Sequence, residues 1–210
     1  IHSQYSICEG TIKIDVLKDF SKENKIKSLG ICDTSNLCGA LEFAEKISKI
    51  GTQPIIGTQI NFKYDDITGL LPLYALNEDG YKRIIELSSL SYLTNDQLSD
   101  AHLNLDELLT KSEGVALFSG TINGLFGKLF NIGKLEEIKK LYSLLKSKYK
   151  DRFYIEIQRH GDENETSFED FNLKKSLELE IPLIATNEVF YIDKDMHEAH
   201  DALICIKNKT

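Results

Sequence analysis

Polar and ionisable side chains stand at the ends of most of the strands that the sequence predicts, and these residues could do chemistry. Histidine, aspartate and glutamate can ligate zinc or manganese, and a bound metal can activate water to hydrolyse a phosphate ester. Only two of the five histidines stand at strand ends, whereas each ion of a two- or three-ion cluster needs roughly three or more ligands. The strand-end residues are His2, Ser3, Ser6, Asp33, Thr34, Gln59, Ser119, Gly120, Thr121, Gln158, Arg159, His160, Asn187 and Glu188.

Alternating helix-like and strand-like segments must position these side chains. The predicted helices are 11–24, 38–50, 78–91, 104–111, 123–133, 134–149, 166–179 and 193–207. The predicted strands are 1–5, 28–33, 53–62, 70–76, 114–120, 152–158 and 182–187. Strict alternation favours parallel strands joined by right-handed crossovers. The pattern therefore predicts an α/β fold with seven strands, arranged either as an open sheet or as a closed barrel.

The 210-residue chain has the composition of an ordinary soluble globular protein, with 41% hydrophobic and 28% charged residues. It contains no internal repeat, low-complexity region or linker-like stretch, so a single domain over 1–210 is predicted. The chain opens at Ile1, without a methionine and inside a predicted strand. We therefore expect a piece of a longer protein that is truncated at both ends.

Composition also restricts location and partners. No apolar run approaches the roughly 18 residues of a membrane helix, and no secretion signal is visible. The four cysteines form no C-x-x-C pair, which is typical of reduced thiols in a cytoplasmic protein. A net charge of −8 repels a phosphate backbone, so we expect no direct DNA binding. Because no apolar run is long enough for a membrane helix, we expect no membrane association either.

Four motifs resemble those of a known family. They are HSQYSICEG at 2–10, CDTSNLCGALEFAEKISKIGTQPIIG at 32–57, YIEIQRHG at 154–161 and IATNEVFYIDKDMHEAHDALICI at 184–206. In this order they resemble the N-terminal polymerase and histidinol phosphatase (PHP) domain of bacterial DNA polymerase III α subunits. The resemblance implies a distorted seven-stranded β/α barrel, similar to a TIM barrel, at the N-terminus of a longer polymerase chain.

The same resemblance implies that several metal-ligand positions have lost their ligands. Histidines of the family correspond to Thr34, Leu70 and Phe190, a glutamate corresponds to Gln59, and a cysteine corresponds to Thr121. Because these side chains lack the expected donor atoms, the resemblance implies a degenerate site without a two- or three-ion cluster.

Four positions keep residues that could be remnants of the metal site. They are His2, Asp33, His160 and Glu188. His2 matches the second histidine of a His-x-His motif, whose first histidine would precede Ile1. We expect no metal in this domain, with a single residual zinc or manganese ion as the alternative. We also expect His2, Asp33, Gln59, His160 and Glu188 to face one cavity.

Three functions remain open at this point. The first is a catalytically inactive PHP domain that supports a DNA-directed DNA polymerase, a magnesium-dependent nucleotidyltransferase of DNA replication, and docks its proofreading exonuclease subunit. The second is an active metal-dependent phosphoesterase, either a proofreading nuclease or a histidinol-phosphatase-like enzyme. The third is an unrelated α/β barrel enzyme. The depleted ligand set favours the first, and the partners follow from the resemblance alone.

Local chemistry offers simpler roles for some of these residues. Asp33 lies in an Asp-Thr-Ser-Asn stretch that is rich in capping groups, so it could cap the following turn or helix. His2 could bond a backbone carbonyl, and His160 could be a loop hydrogen-bonder instead of a remnant ligand. His197 and His200 are expected at the surface or in helix packing.

Overall fold

The computed structural model describes residues 1–94 and 100–209. Its helices are α1 (Ile14–Glu23), α2 (Ala40–Ser48), α3 (Glu78–Leu93), α4 (Leu105–Thr110), α5 (Leu125–Asn131), α6 (Leu135–Tyr149), α7 (Glu165–Leu179) and α8 (His197–Asn208). Its strands are β1 (Ser28–Thr34), β2 (Gln53–Tyr64), β3 (Ile67–Ala75), β4 (Leu103–Asn104), β5 (Val115–Phe118), β6 (Phe153–Ile157) and β7 (Leu183–Ala185). The predicted α/β class is therefore confirmed.

The chain divides into two compact units. Unit 1 comprises Ile1–Thr58 and Glu188–Thr210, and unit 2 comprises Gln59–Asn187. No helix in the described part of the chain is long and apolar enough to cross a lipid bilayer.

The core of unit 1 forms between α1, α2 and β1. Helix α1 buries Ile14 and Leu17, three residues apart, and α2 buries Phe43 and Ile47, four residues apart. Residues at these spacings lie on one helix face, so each helix presents one apolar face to the core. The buried cluster consists of Ile12, Ile14, Leu17, Ile31, Phe43 and Ile47.

The predicted strand over residues 1–5 is wrong. Ile1 lies beside β1, because the backbone N–H of Cys32 donates to its carbonyl oxygen at 2.8 Å. Beyond it, Ser3 makes a single bridge to Ile12, and the chain then turns. The N–H of Ser6 donates to the Ser3 carbonyl at 2.9 Å, and Cys8 adopts a positive φ of 60°. These turns return the chain on itself before a strand can form.

Unit 2 is built on strands in the order β2-β3-β5-β6-β7, with β4 paired to β2. The pairs β5–β6 and β6–β7 are parallel, as predicted. The pair β2–β4 is parallel as well, although β4 was not among the predicted strands. The pair β3–β5 is antiparallel, with Leu73 opposite Leu117, so the prediction of parallel strands throughout is wrong. The antiparallel direction of β3 has its cause in the link between β2 and β3. Two residues, Asp65 and Asp66, make a hairpin that is too short for a parallel crossover.

Seven strands are described, as predicted, but the set differs from the predicted one. Residues 1–5 form no strand, and the seventh described strand is instead the two-residue strand β4. The long helix predicted at 134–149 is confirmed as α6. It buries five residues at helical spacing, namely Ile138, Leu141, Tyr142, Leu145 and Tyr149.

Aromatic contacts hold α6 against its neighbours in unit 2. The ring of Tyr142 lies 4.8 Å from that of Phe126 on α5 and 5.6 Å from that of Phe153 on β6. Both pairs have the edge-to-face geometry that aromatic rings favour. This packing holds the start of β6 against α6, at the end opposite to the unit 2 site residues.

Candidate functional site

In unit 1, Asp33 occupies the end of β1 and is buried, with 2% of its surface exposed. Its Oδ1 accepts the backbone N–H of Ser3 at 2.6 Å and the hydroxyl of Ser6 at 2.8 Å. Its Oδ2 accepts the hydroxyl of Ser3 at 2.8 Å. Both carboxylate oxygens are therefore engaged by donors from the turning segment at the start of the chain.

Asp33 caps neither the turn nor the helix that follows it, because its carboxylate accepts from Ser3 and Ser6, so that interpretation is wrong. Helix α2 has Gly39 at its N-cap and no side-chain capping bond. The capping chemistry of this stretch belongs to Asn36, whose side-chain oxygen accepts the N–H of Cys38 at 3.0 Å. Asp33 instead joins segments about thirty positions apart in sequence.

The His2 imidazole of unit 1 is buried and surrounded on three sides. Its Nδ1 lies 3.4 Å from the hydroxyl of Ser6, and its Nε2 lies 3.4 Å from Oε1 of Glu188. The ring of Phe190 stacks on it at 4.4 Å between centroids, with 15° between the planes. The expected bond from this imidazole to a backbone carbonyl is replaced by the contacts with Ser6 and Glu188.

Phe190 and Thr34 stand where the resemblance implies ligand histidines. The Phe190 ring is stacked between His2 and His200, whose centroid lies 5.5 Å away. The Thr34 hydroxyl donates to Oε2 of Glu9 at 2.6 Å, and the other oxygen of Glu9 pairs with Lys207. One position thus supplies an apolar ring and the other a hydroxyl bonded to a carboxylate. His200 packs against this stack, which agrees with its predicted role in helix packing.

In unit 2, His160 follows β6 on an exposed loop that leads into α7. Its backbone N–H donates to both carboxylate oxygens of Glu165, at 3.0 and 2.8 Å. Gly161 donates its N–H to the same carboxylate at 2.7 Å. Burial alone would raise the pKa of Glu165, but these backbone donors outweigh it, and the pKa lies below its ordinary value.

The imidazole of His160 is held by a chain of hydrogen bonds within unit 2. Its Nε2 lies 3.1 Å from Oε1 of Gln158, whose amide nitrogen donates to the Thr186 hydroxyl at 2.9 Å. The Thr186 hydroxyl in turn donates to Oε1 of Glu156. Because the Gln158 oxygen is the acceptor, the proton of a neutral His160 lies on Nε2, and Nδ1 carries the lone pair.

The buried carboxylate of Glu156 was missed by sequence reasoning, which considered only the residues after the strand. It lies inside β6 with 5% of its surface exposed, and its backbone N–H donates to the hydroxyl of Ser119 at 2.9 Å. A charged residue between two isoleucines, in the run YIEIQ, was the signal that could have found it.

The three other substituted positions lie on two strands and one loop of unit 2. Gln59 is buried on β2, and Leu70 is half-buried on β3. Thr121 lies in the loop after β5, where its hydroxyl accepts the N–H of Asn123 at 3.2 Å. The expectation that His2, Asp33, Gln59, His160 and Glu188 face one cavity stays a prediction, since these residues are divided between the two units.

The side chains that could ligate a metal can be compared with the number of ligands that a metal site uses. Among residues 1–94 and 100–209, no group of three or more histidine, cysteine, aspartate or glutamate side chains is arranged to hold a metal ion. A zinc site uses three or four protein ligands. In unit 1, His2 Nε2 and Glu188 Oε1 lie 3.4 Å apart and form one pair of possible ligands. Both Asp33 oxygens accept hydrogen bonds from hydroxyl or N–H donors. The residues of unit 1 therefore do not fit a cluster of ions.

Comparison with known proteins decides the family. Residues 1–160 match the model of the PHP domain. The chain belongs to the PHP domain family. The predicted α/β fold of the PHP type is thereby confirmed. A solved structure of a candidate metal-dependent phosphoesterase from Bifidobacterium adolescentis is similar over 96% of this chain and 94% of that one, with 12% identity and a TM-score of 0.44.

Relatives of this PHP chain include DNA polymerase III subunit alpha from several bacteria. It is 38% identical over 206 residues to that of Rickettsia felis, covering 97% of this chain and 17% of the relative. It is 34% identical over 221 residues to that of Caulobacter vibrioides, covering 99% and 19%. For Borreliella burgdorferi the values are 32% over 217 residues, 98% and 19%. The chain thus spans less than a fifth of these relatives.

Proposed function

We propose that this chain is the N-terminal PHP domain of a bacterial DNA polymerase III α subunit. In this proposal the domain has lost its metal cluster, supports the polymerase and docks the proofreading exonuclease subunit. The similarity to polymerase α subunits over 97–99% of the chain supports the parent protein. The magnesium-dependent transfer of nucleotides onto DNA is assigned to the parts of such a protein that lie outside this chain.

The observation that carries the loss of metal is the hydrogen bonding of the Asp33 carboxylate. The Ser3 N–H and the hydroxyls of Ser3 and Ser6 occupy three of its roughly four acceptor positions, two on Oδ1 and one on Oδ2. A cation held by both oxygens would have to displace a donor from Oδ1, either the Ser6 hydroxyl or the buried Ser3 N–H. Hydrogen bonds to a carboxylate are stronger than neutral ones, so this displacement is unfavourable.

Two substitutions in unit 1 support the same conclusion. Phe190 places a ring without donor atoms against the face of His2, and Thr34 directs its hydroxyl to Glu9. Neither side chain offers a nitrogen to zinc or manganese. With His2 and Glu188 left as a pair, unit 1 has too few ligands for a cluster, and the alternative of a single residual ion depends on further ligands.

Elemental analysis of the full-length protein tests the loss of metal. We expect less than one zinc, manganese or iron ion per chain after purification without chelator. Two or more tightly held ions would overturn the proposal. A single ion that is lost on substitution His160→Ala, and retained in the control His197→Ala, would instead support the residual-ion alternative.

The docking proposal rests on the family resemblance, and the acidic charge of −8 is compatible with a protein partner. A stable contact buries roughly 800 Å² on each partner. Titration calorimetry with the exonuclease subunit of the same replicase should show one-to-one binding. Absence of binding would remove docking from the proposal, and the metal analysis would be unaffected.

A turnover assay separates the proposed role from an active phosphoesterase. The unaltered protein, incubated with a generic phosphate ester and manganese, should release no phosphate above the buffer control. Turnover that is abolished by a chelator and by His160→Ala, but retained in His197→Ala, would establish the phosphoesterase in its place. His197 is a suitable control because it is an exposed histidine on α8.

A further inference from the structure

Unit 2 contains a small polar cavity between β6, the loop after β5 and the first half of α7. Its volume is about 10 Å³, close to the roughly 10–15 Å³ that one water molecule requires. Apolar side chains of Ile122, Ile157 and Phe168 form part of its wall. Its polar wall consists of Thr121, Glu156, Gln158, Glu165, Glu169 and Asn172.

Asn172 brings a hydrogen-bond donor to this cavity. Its side chain is fully buried, and its Nδ2 has no hydrogen-bond partner among the described residues. Its Oδ1 accepts the hydroxyl of Tyr142 at 3.0 Å. Burial raises the pKa of Tyr142, which keeps the phenol protonated as a donor. With Oδ1 facing Tyr142, the two N–H groups of Asn172 need another acceptor.

We propose that this cavity is a binding site for a single ordered water molecule. The water accepts an N–H of Asn172 and donates to the Glu156 carboxylate, which lines the same cavity. A buried water typically makes about three hydrogen bonds to the polar groups around it. The Asn172 amide, the Glu156 carboxylate and the side chains of Thr121 and Gln158 in the same wall can supply them.

Charge and size favour water over a cation or a larger ligand. Two of the carboxylates in the wall already have partners, because Glu165 accepts backbone N–H groups and Glu169 pairs with Arg159 at 2.6 Å. The N–H groups of Asn172 present positive charge, which repels a cation. A volume of about 10 Å³ excludes any organic ligand.

High-resolution crystallography of the unaltered protein tests the site directly. We expect one spherical peak at about 2.7–3.2 Å from Asn172 Nδ2. An empty cavity would overturn the proposal. A crystal soaked in rubidium chloride provides the second arm, since an anomalous peak in the cavity would identify a cation site and also overturn it.

A solution measurement tests the same water independently. Oxygen-17 relaxation dispersion counts long-lived internal waters, and the double variant Asn172→Leu, Tyr142→Phe should lose one of them. The second substitution removes the hydroxyl that would otherwise lose its acceptor. The control Ser176→Ala alters another buried polar residue of α7, whose hydroxyl donates to the Ile181 carbonyl, and should retain the full count. An unchanged count in the folded double variant would contradict the proposal, and if that variant does not fold, the crystal result decides.

Discussion

Replacing Asp33 tests whether a hydrogen-bonded carboxylate organises unit 1. Asp33→Ala removes the acceptor of the Ser3 N–H, the Ser3 hydroxyl and the Ser6 hydroxyl. The hydroxyls can rotate toward other acceptors, but the backbone N–H cannot. A buried donor without a partner costs about 1–3 kcal/mol, and lost hydrogen bonds to a charged group cost about 1.5–3 kcal/mol. We therefore expect the free energy of unfolding to fall by about 3–5 kcal/mol.

The isosteric variant Asp33→Asn separates the hydrogen bonds from the charge. Its side-chain oxygen can still accept the donors that reach Oδ1, and its NH₂ group can donate to the Ser3 hydroxyl. We expect a loss of about 1 kcal/mol. The control Asp19→Ala removes an exposed aspartate of α1 that pairs with Lys18, and should change stability by at most about 0.5 kcal/mol.

Urea unfolding followed by circular dichroism measures these differences, provided that the slope of the transition is unchanged between variants. The losses should be the same in buffer with a chelator and in buffer with zinc. A cost for Asp33→Ala below about 1 kcal/mol, or equal costs for the alanine and asparagine variants, would refute the structural role of this carboxylate. A cost that appears only with zinc present would show that Asp33 binds metal.

Three further predictions concern backbone strain, pH dependence and DNA. Lys150→Gly should raise the unfolding free energy by about 1 kcal/mol, because Lys150 has a φ of 58° and a ψ of −117°, a conformation that favours glycine. Hydrogen bonds from Lys139 and Lys175 lower the pKa of Glu178 to about 2 from 4.5. Its contribution to stability is therefore present above about pH 4.5 and lost as the pH falls toward 2, so Glu178→Gln should lower the melting temperature at pH 6 more than at pH 2. The full domain should bind duplex DNA no tighter than about 0.1 mM at physiological salt, as measured by fluorescence titration.

Each of these three has its own control and contradicting result. Lys148→Gly lies within α6, so it should destabilise, and equal effects at positions 148 and 150 would contradict the strain argument. For Glu178, a melting-temperature difference that does not shrink at low pH, or that persists in high salt, would contradict the ion-pair explanation. For DNA, submicromolar binding that weakens as salt rises would contradict the charge argument.

Local sequence patterns predicted the helices and strands well and the pairing of the strands less well. The spacing of apolar residues located α6 to within one residue, because an amphipathic face is encoded within the helix itself. The antiparallel pair β3–β5 escaped prediction, since it depends on a hairpin at Asp65 and Asp66 that no glycine or asparagine marks. Asp65 adopts a positive φ of 52° in this turn, a conformation that aspartate tolerates.

The candidate site was predictable in position and not in its contacts. Sequence reasoning placed Asp33 at a strand end, and the structure confirms that position. Its partners lie 27 and 30 residues earlier in the chain, and no local motif relates an aspartate to serines so far away. Asn172 was missed as well, although its position four residues after Phe168 and four before Ser176 marks the buried face of α7.

Asp33 and Glu156 show how each unit accommodates a buried carboxylate with hydroxyl donors. A buried negative charge requires either a cation or several well-placed donors, since desolvation is otherwise prohibitive. Asp33 receives serine hydroxyls from the start of the chain, and Glu156 receives the Thr186 hydroxyl from beyond β7. These donors come from segments distant in sequence, so each carboxylate links parts of its unit in the way that a metal ion would. If the domain holds no metal, as proposed, its unfolding transition should be unchanged by a chelator.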